Sequence, residues 1–197
     1  MQKLTHQELV ERQKNQSSSQ IPFTVVLNNI RSLYNVGSIF RTADGVGIEK
    51  LWLCGITGTP DSERERIEKT ALGAEKTVPW EHSGDILAVL RNLKQCGYQI
   101  VLLEQTKESV PYQEFEPKPP VCLVVGNEIS GISDELLALS DAAIEIEMAG
   151  QKNSLNVAVA FGIAASHIRN RIVSSLQCSK ISSSLSNVTS SKSQSIL

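Results

Sequence analysis

The sequence has no excess of basic over acidic residues, and it has no long apolar run. Its 197 residues contain 19 Lys and Arg against 21 Asp and Glu, a formal net charge of −2. This balance disfavours a protein that coats nucleic acid nonspecifically, although it leaves room for a local basic patch. No apolar run reaches the length of a membrane span and no signal peptide is recognisable, so we expect no membrane association.

Cysteine and histidine are few and widely spaced. The four cysteines form no CxxC pair, and Cys54 and Cys122 lie in apolar runs typical of small core residues. The three histidines lack HExxH or any other metal-binding spacing, which argues against metal catalysis. We therefore expect reduced thiols, no metal ion and a cytoplasmic location.

Apolar runs typical of buried strands alternate along the chain with segments of helical periodicity. Strands are predicted at 23–28, 51–56, 98–104, 121–125 and 142–148, and helices at 36–46, 85–96, 134–139 and 154–172. The Pro-rich stretch 110–120 is predicted to be irregular. Such alternation predicts an α/β fold, with a mostly parallel sheet and helices on both faces.

Composition divides the chain into three parts. Residues 1–20 form a short polar N-terminal arm, in which a few apolar side chains indicate a short helix. Residues 21–173 form the single domain. Residues 174–197 are Ser-rich with few large apolar groups, which predicts a disordered tail.

The most informative segment is Asn28 to Asp44, N-N-I-R-S-L-Y-N-V-G-S-I-F-R-T-A-D, at a strand-to-helix turn. Open α/β sheets bind their ligands at such turns. Asn35, Gly37 and Ser38 are placed near the helix N-terminus, where free N–H groups favour anions such as phosphate. Arg41 is predicted to point away from the packed helix face. This pattern indicates a turn that handles RNA.

Two further polar clusters follow strands. Gly126 to Gly131 has the G-x-x-x-x-G spacing of a phosphate loop but lacks the Lys-Ser/Thr that must follow, so a nucleotide triphosphatase is rejected. Glu128 either accepts hydrogen bonds from a bound hydroxyl or base edge, or holds its own loop through neighbouring amides. In the second cluster, Met148 to Asn156, Ser154 is most simply a helix N-cap, whereas Asn156 is less readily explained that way.

The three loops that follow these strands are expected to meet at one edge of the sheet. Together they supply apolar walls, backbone groups, one Arg, one Glu and two Asn. They contain no Ser-His-Asp set and no Cys-His pair for nucleophilic catalysis. This inventory suits a reaction whose difficult chemistry is carried by a cofactor.

The sequence resembles the SpoU-type RNA ribose 2′-O-methyltransferases of the SPOUT superfamily. The resemblance covers residues 22–171 and rests on three blocks in the expected order. They are N-x-R-S-x-x-N-V-G-S-I-F-R-T-A-D at 29–44, V-G-N-E-x-x-G-I at 125–132, and I-x-M-x-G-x-x-x-S-L-N-V-A-V-A at 146–160. Each block alone is a weak signal, and the three in order are a strong one.

The resemblance implies a fold and assembly that composition does not show. Members of the family thread their C-terminal part into a deep trefoil knot, bind S-adenosylmethionine (AdoMet) there, and form homodimers in which each site is completed by the partner subunit. By this resemblance the cofactor-binding residues are Leu103, Glu104, Thr106, Gly126, Ile146, Met148 and Leu155.

The resemblance also implies the catalytic and RNA-binding residues. The catalytic set is Arg41, Asn35, Glu128, Ser154 and Asn156, and the RNA-binding set is Asn29, Arg31, Ser32 and Arg41. Because Arg is ordinarily always protonated, we expect Arg41 to position the ribose hydroxyl and support the forming alkoxide rather than to act as a literal base. No metal is needed for this transfer.

The expected substrate is RNA, and tRNA rather than rRNA. The short N-terminal arm resembles that of tRNA-directed members, which points to the D-loop guanosine. Two alternatives stay open: an rRNA-directed enzyme with the same chemistry, and a non-catalytic RNA-binding module that keeps the fold.

Overall fold

The computed structural model describes residues 1–15 and 20–192, in which strands and helices alternate. The helices are α1 His6–Asn15, α2 Leu33–Val46, α3 Arg64–Ala71, α4 Ile86–Gln95, α5 Asp134–Leu139 and α6 Val157–Lys192. The strands are β1 Phe23–Asn28, β2 Lys50–Cys54, β3 Trp80–Ser83, β4 Gln99–Leu103, β5 Val110–Pro111, β6 Val121–Val125 and β7 Ala142–Glu145. Short 3-10 turns lie at Ala74–Lys76 and Tyr112–Glu114. Residues 16–19 of the predicted arm and 193–197 of the predicted tail lie outside this description.

The seven strands form one sheet in the order β3-β2-β1-β6-β4-β7-β5, and all of their pairings are parallel. The predicted parallel α/β sheet is therefore confirmed. Strand β6 lies between β1 and β4, and every residue of β1 and β6 is buried. This burial on both faces explains why β6 reads as an unbroken apolar run, V-C-L-V-V.

Helices cover both faces of the sheet, as predicted. On one face Phe40 of α2 and Phe161 of α6 belong to the same buried cluster as Phe23 of β1. On the other face Leu90 of α4 and Leu136 of α5 cluster with Val26 of β1. Among the described helices, none is both long and apolar enough to span a membrane.

Helices α2 and α3 touch at Gly37. A Cβ atom at this position would collide with the Thr70 hydroxyl and the Ile67 carbonyl oxygen of α3. The helix begins at Leu33 and is capped by Ser32, whose hydroxyl accepts the Asn35 N–H at 3.3 Å, so Gly37 lies in the second turn. Gly37 therefore serves close helix packing, and its predicted place at an anion-binding N-terminus is corrected.

The C-terminal helix differs most from expectation. Instead of ending at residue 172 before a disordered tail, α6 runs from Val157 to Lys192. Its first half is anchored in the core through Phe161, Ala165 and Ile168. No Gly or Pro occurs from residue 163 to 192, so nothing stops a helix that is already nucleated from propagating through the Ser-rich segment. Residues 174–192 are thus helical in the structure, whereas the disordered tail stays a prediction.

Smaller boundary differences have local causes. Strand β2 ends at Cys54, short of residue 56, because Gly55 takes a left-handed φ of 64° that turns the chain. Strand β7 ends at Glu145, where its pairing with the two-residue strand β5 ends, so Met148 lies outside it. The stretch 110–120 contains that short strand and a 3-10 turn rather than being wholly irregular.

We predict that Gly37→Ala lowers the free energy of unfolding by about 1–3 kcal/mol, because the added methyl group forces α2 and α3 apart. The control is Gly45→Ala on the same helix, where a Cβ atom meets nothing within 4 Å. That change should raise the free energy of unfolding by about 0.5–1 kcal/mol, because Ala loses less entropy than Gly in a helix. Urea denaturation followed by circular dichroism measures both. Equal stability of the two variants would contradict the close packing at Gly37.

Candidate functional site

The three predicted loops meet at the carboxyl ends of β1, β6, β4 and β7. The loops after β6 and β7, together with the turn after β4 and the start of α6, line a cavity of about 470 Å³, within the range of small-molecule sites. Its walls include Leu103, Glu104, Gly126, Glu128, Ile146, Ser154, Leu155 and Asn156. Eight of the predicted catalytic and cofactor-binding residues thus lie around one cavity.

Glu128 joins the loop after β6 to the turn between β1 and α2. Its two carboxylate oxygens accept the backbone N–H of Arg31 at 3.1 Å and that of Ser32 at 3.3 Å. One oxygen also accepts the side-chain amide of Asn35 at 3.0 Å. The amides it holds belong to a turn more than 90 residues earlier in the chain rather than to neighbouring residues.

Asn35 extends this connection to the third loop. Its amide oxygen accepts the side-chain N–H of Asn156 at 3.1 Å, while its amide nitrogen donates to Glu128. Asn156 in turn caps α6, because its side-chain oxygen accepts the Ala158 N–H at 3.0 Å and its carbonyl accepts the Ala160 N–H. The N-cap is therefore Asn156 and not Ser154 as predicted. Ser154 is exposed and lines the cavity.

The environment of Glu128 favours its ionised form. Partial burial raises the pKa of the carboxyl, but hydrogen bonds from its own backbone, from Asn35, and from the backbone of Arg31 and Ser32 outweigh that effect. The pKa of Glu128 therefore lies below its ordinary value of 4.5. Near neutral pH the carboxylate acts as a fixed acceptor that orders the β1–α2 turn.

The floor of the cavity is formed by the backbone at Gly126, where there is no room for a side chain. A Cβ atom on Gly126 would lie 2.7 Å from the Ile132 side chain and 2.9 Å from the Gly131 carbonyl. Glu104 holds the same segment to the turn after β4, since its carboxylate accepts the N–H of Ile132 at 3.1 Å and that of Gln105 at 3.0 Å. With Leu103, Ile146 and Leu155 as apolar walls, these groups suit a ligand that has an apolar body and polar edges.

Two of the predicted cofactor residues lie beside this cavity rather than in it. Met148 lines an adjoining cavity of about 400 Å³ that shares Gln105 and Ile146 with the main one. Thr106 lines another, on the far side of the turn after β4, where its backbone N–H donates to Ser109 Oγ at 3.0 Å.

Arg41 is not brought into the cavity. It lies exposed on α2, as the helical periodicity predicted, and makes no hydrogen bond or ion pair with the described residues. Arg31 is also exposed, next to the carboxylate of Glu128. Within the described ranges neither guanidinium group has a partner, and both residues are exposed at the surface.

The Asn29 side chain stabilises the turn after β1. The residue adopts a left-handed φ of 57°, donates to Asn28 Oδ1 at 3.0 Å and accepts the Ile56 N–H at 3.0 Å. Asn127, which sequence reasoning missed, donates to the Asn29 carbonyl at 2.6 Å and accepts the N–H groups of Ile129 and Ser130. Its place in a G-N-E turn is the local signal for such an Asx turn, but its partner Asn29, directly after β1, is visible only in the fold.

The cavity lining contains no His and no Cys, so it offers no Ser-His or Cys-His pair for nucleophilic attack. Within residues 1–15 and 20–192, no group of His, Cys, Asp or Glu side chains has the geometry of a metal site. What the lining does offer is shape, backbone hydrogen-bonding groups and fixed amide and carboxylate dipoles. These can hold and orient a ligand that carries its own reactive group.

Residues 22–166 match the model of the SpoU rRNA methylase family. The chain belongs to this family.

A relative from Aquifex aeolicus, named tRNA (guanosine(18)-2′-O)-methyltransferase, is 37% identical over 139 residues, which are 71% of this chain and 64% of the relative. The chain thus spans less than two thirds of that relative's length. Among solved structures, the TrmH/SpoU tRNA modifying enzyme of A. aeolicus superposes with a TM-score of 0.71 at 32% identity and covers 83% of each chain. The AdoMet-bound rRNA methyltransferase from Sinorhizobium meliloti gives 0.71 at 29% identity, over 80% of this chain and 59% of that one.

We predict that Glu128→Gln destabilises the protein in a pH-dependent way. Because the folded-state pKa of Glu128 is lowered, its carboxylate contributes stability that is fully present above the unfolded-state pKa. The contribution is lost as pH falls through the lower folded-state pKa. The difference in unfolding free energy between wild type and variant should therefore be constant from pH 6 to about pH 5 and shrink below that value.

Urea titrations at a series of pH values measure this difference. The matched control is Glu108→Gln, since the Glu108 carboxylate makes no hydrogen bond or ion pair with the described residues. The control should follow wild type at every pH. A stability difference for Glu128→Gln that does not change with pH would mean that the hydrogen bonds persist when the carboxyl is protonated.

Proposed function

We propose that this protein is an AdoMet-dependent RNA methyltransferase that modifies a ribose 2′-hydroxyl, and that its substrate is tRNA. The observation that carries the proposal is the chain of hydrogen bonds from Glu128 through Asn35 to Asn156. It joins the three motif loops at the rim of one cavity that is shaped for a small ligand. Membership of the SpoU family and the names of the relatives support the same chemistry.

In this proposal the main cavity holds the cofactor. Backbone groups of Gly126 and of the turn after β4 hydrogen bond its polar edges, and Ile146 and Leu155 contact its apolar surface. Bound AdoMet supplies an activated methyl group on a sulfonium centre. Because Glu128 and Asn156 fix the β1–α2 turn against the cavity, that turn presents the RNA to it in one orientation.

Arg41 is proposed to act on the ribose of the RNA. Its role is to orient the 2′-hydroxyl and to stabilise the negative charge that develops on that oxygen, since the guanidinium group of arginine suits charge stabilisation better than proton abstraction. Arg41 lies outside the cavity of its own subunit, and we propose that it completes the cavity of a partner subunit instead.

Surface features of α2 and α6 support a homodimer. The two helices pack against each other, and each exposes a large apolar side chain, Tyr34 at 48% and Val159 at 51%. An interface over these helices would cover both side chains and bring Arg41 to the partner. The dimer is therefore the assembly in which all of the proposed catalytic groups meet.

A trefoil knot in the C-terminal part belongs to the same proposal. Strand β7 pairs with β4 and β5, both earlier in the chain, and the loop that follows it returns to the turn after β4. There Gln105 Nε2 donates to the Asn153 carbonyl at 2.8 Å. This close passage of residue 153 beside the 103–106 turn supports a threaded path into α6.

The choice of tRNA, and of a D-loop guanosine within it, is supported by the A. aeolicus relative, whose name specifies guanosine 18 of tRNA. An rRNA substrate is the second candidate, because the similar S. meliloti structure is named an rRNA methyltransferase. A non-catalytic RNA-binding module is the third, and it would have no need of the cofactor cavity. We also propose a cytoplasmic location, whichever of these RNAs is the substrate.

We predict that wild-type protein transfers labelled methyl groups from AdoMet to purified total tRNA, and that nucleoside mass spectrometry identifies 2′-O-methylguanosine. Arg41→Ala should lower this rate by about 10²–10³-fold, the usual cost of losing a group that stabilises a developing oxyanion. Calorimetric titration with S-adenosylhomocysteine should give the same affinity for wild type and Arg41→Ala.

The charge control is Arg91→Ala, an exposed Arg on α4 that should leave the methylation rate unchanged. Labelling confined to rRNA would overturn the choice of tRNA and keep the mechanism. No labelling together with no binding of S-adenosylhomocysteine would favour the RNA-binding module.

We further predict that two inactive variants restore activity when they are mixed. In a dimer that carries Arg41→Ala on one subunit and Glu128→Gln on the other, one site keeps both native residues if Arg41 acts across the interface. Random exchange of subunits should then give about one quarter of the wild-type methylation rate, since half of the dimers are mixed and half of their sites are intact. No recovery after complete exchange, verified by mass spectrometry of the intact dimers, would place Arg41 in its own subunit's site.

A further inference from the structure

A second cavity lies at the same edge of the sheet but on the α4–α5 face. It has a volume of about 340 Å³ and is lined by the end of β1, the start of α4 and the segment from Ser130 to Leu136. Gly131 lines both this cavity and the main one, so the loop from Asn127 to Gly131 separates the two. None of the proposed catalytic or cofactor-binding residues lines it.

Asn28 is a buried amide at the base of this cavity with an unused donor. The residue is only 6% exposed, and its side-chain oxygen accepts the Asn29 amide at 3.0 Å. Its own side-chain nitrogen, which can donate two hydrogen bonds, has no acceptor among the described residues. Because this nitrogen has no acceptor within the described part of the chain, it is free to donate to an acceptor on a bound molecule.

The start of α4 places donors and an acceptor beside Asn28. One carboxylate oxygen of Asp85 caps the helix by accepting the Ala88 N–H at 3.1 Å, which leaves the other oxygen free to accept. The backbone N–H groups of Ile86 and Leu87, in the first turn, have no acceptor among the described residues. Donors and an acceptor therefore stand side by side on one wall.

Charge and shape select the class of ligand. Asp85 and Glu135 line the cavity and no Lys or Arg does, so a phosphate group would meet negative charge. Ile86, Leu87 and Leu136 supply apolar surface for a flat ring. A neutral, planar group with both donors and acceptors on its edge fits this lining.

Guanine meets these requirements best among the RNA bases. Its N1–H and N2 amino groups are donors for the free oxygen of Asp85, and its O6 and N7 atoms are acceptors for the Asn28 amide and the helix N–H groups. Adenine lacks both the N1–H donor and the O6 acceptor. Proteins that read RNA by sequence bind unstacked bases in pockets of this kind.

We propose that the cavity at Asn28 and Asp85 binds an unstacked guanine of the RNA substrate, from a nucleotide beside the one that is methylated. This inference rests on the proposed function, since it assumes that RNA lies across the carboxyl edge of the sheet. The loop from Asn127 to Gly131 separates the two cavities. A base held in the cavity at Asn28 would therefore place the neighbouring ribose over the main cavity.

The test is a titration of the isotope-labelled full-length protein with the trinucleotides UGU and UAU, followed by NMR. UGU should shift the side-chain amide signals of Asn28 and the backbone signals of Ile86 and Leu87, in a saturable way. UAU should bind about tenfold more weakly, the discrimination that one good pair of hydrogen bonds supplies.

Two variants test the assigned contacts. Asn28→Asp keeps the acceptor for Asn29 but removes the donor, and should weaken UGU binding about tenfold. Asp85→Asn keeps a good helix cap but removes the charged acceptor, and should weaken it similarly. Asn92→Asp, on the exposed side of α4, makes the same chemical change away from the cavity and should bind as wild type.

Equal affinity for UGU and UAU, shifts confined to Asn35 and Glu128, or wild-type binding by both cavity variants would each overturn the inference. Methyl transfer measured in parallel separates it from the proposed function. If methyl transfer occurs but the Asn28 signals do not shift, the guanine site is overturned and the proposed enzyme function stands. Guanine-specific shifts without methylation or binding of S-adenosylhomocysteine would overturn the enzyme assignment and leave the cavity in place.

Discussion

One carboxylate holds the candidate site together. Glu128 stands at the end of a central buried strand and binds two backbone amides and one side-chain amide of the turn that follows β1. Hydrogen bonds to a charged acceptor are stronger than those between neutral groups, and here they act between segments far apart in the chain. Without this link the two loops would be joined by the contacts of their parent strands and by the hydrogen bond from Asn127 to the Asn29 carbonyl.

The order of the strands makes this link possible. Because β6 enters the sheet between β1 and β4, the loops after β1, β6 and β4 are neighbours at one edge, although their strands are remote in sequence. The two faces of the sheet are covered by different helices, one by α2 and α6 and the other by α4 and α5. Each side carries its own cavity, and the loop after β6 forms a wall of both.

Sequence reasoning found those features that depend on local pattern. Strand β6 was predicted with its observed bounds because burial on both faces leaves an unbroken apolar run, and the exposure of Arg41 followed from the helical period of α2. The partners of Glu128 are set by the insertion of β6 beside β1 and were not predictable from nearby residues. The helical course of α6 to Lys192 was missed because composition describes the Ser-rich segment in isolation, whereas the structure grows it from an anchored helix.

The position of Asn35 between Glu128 and Asn156 limits how this protein can vary. Its side chain must donate on one side and accept on the other, over a span that one short amide bridges. Aspartate would supply only acceptors and would set a second negative charge against Glu128, while alanine would remove one hydrogen bond from each neighbour. Residues 35 and 128 therefore act as one structural unit, and we expect a change at one to require a compensating change at the other.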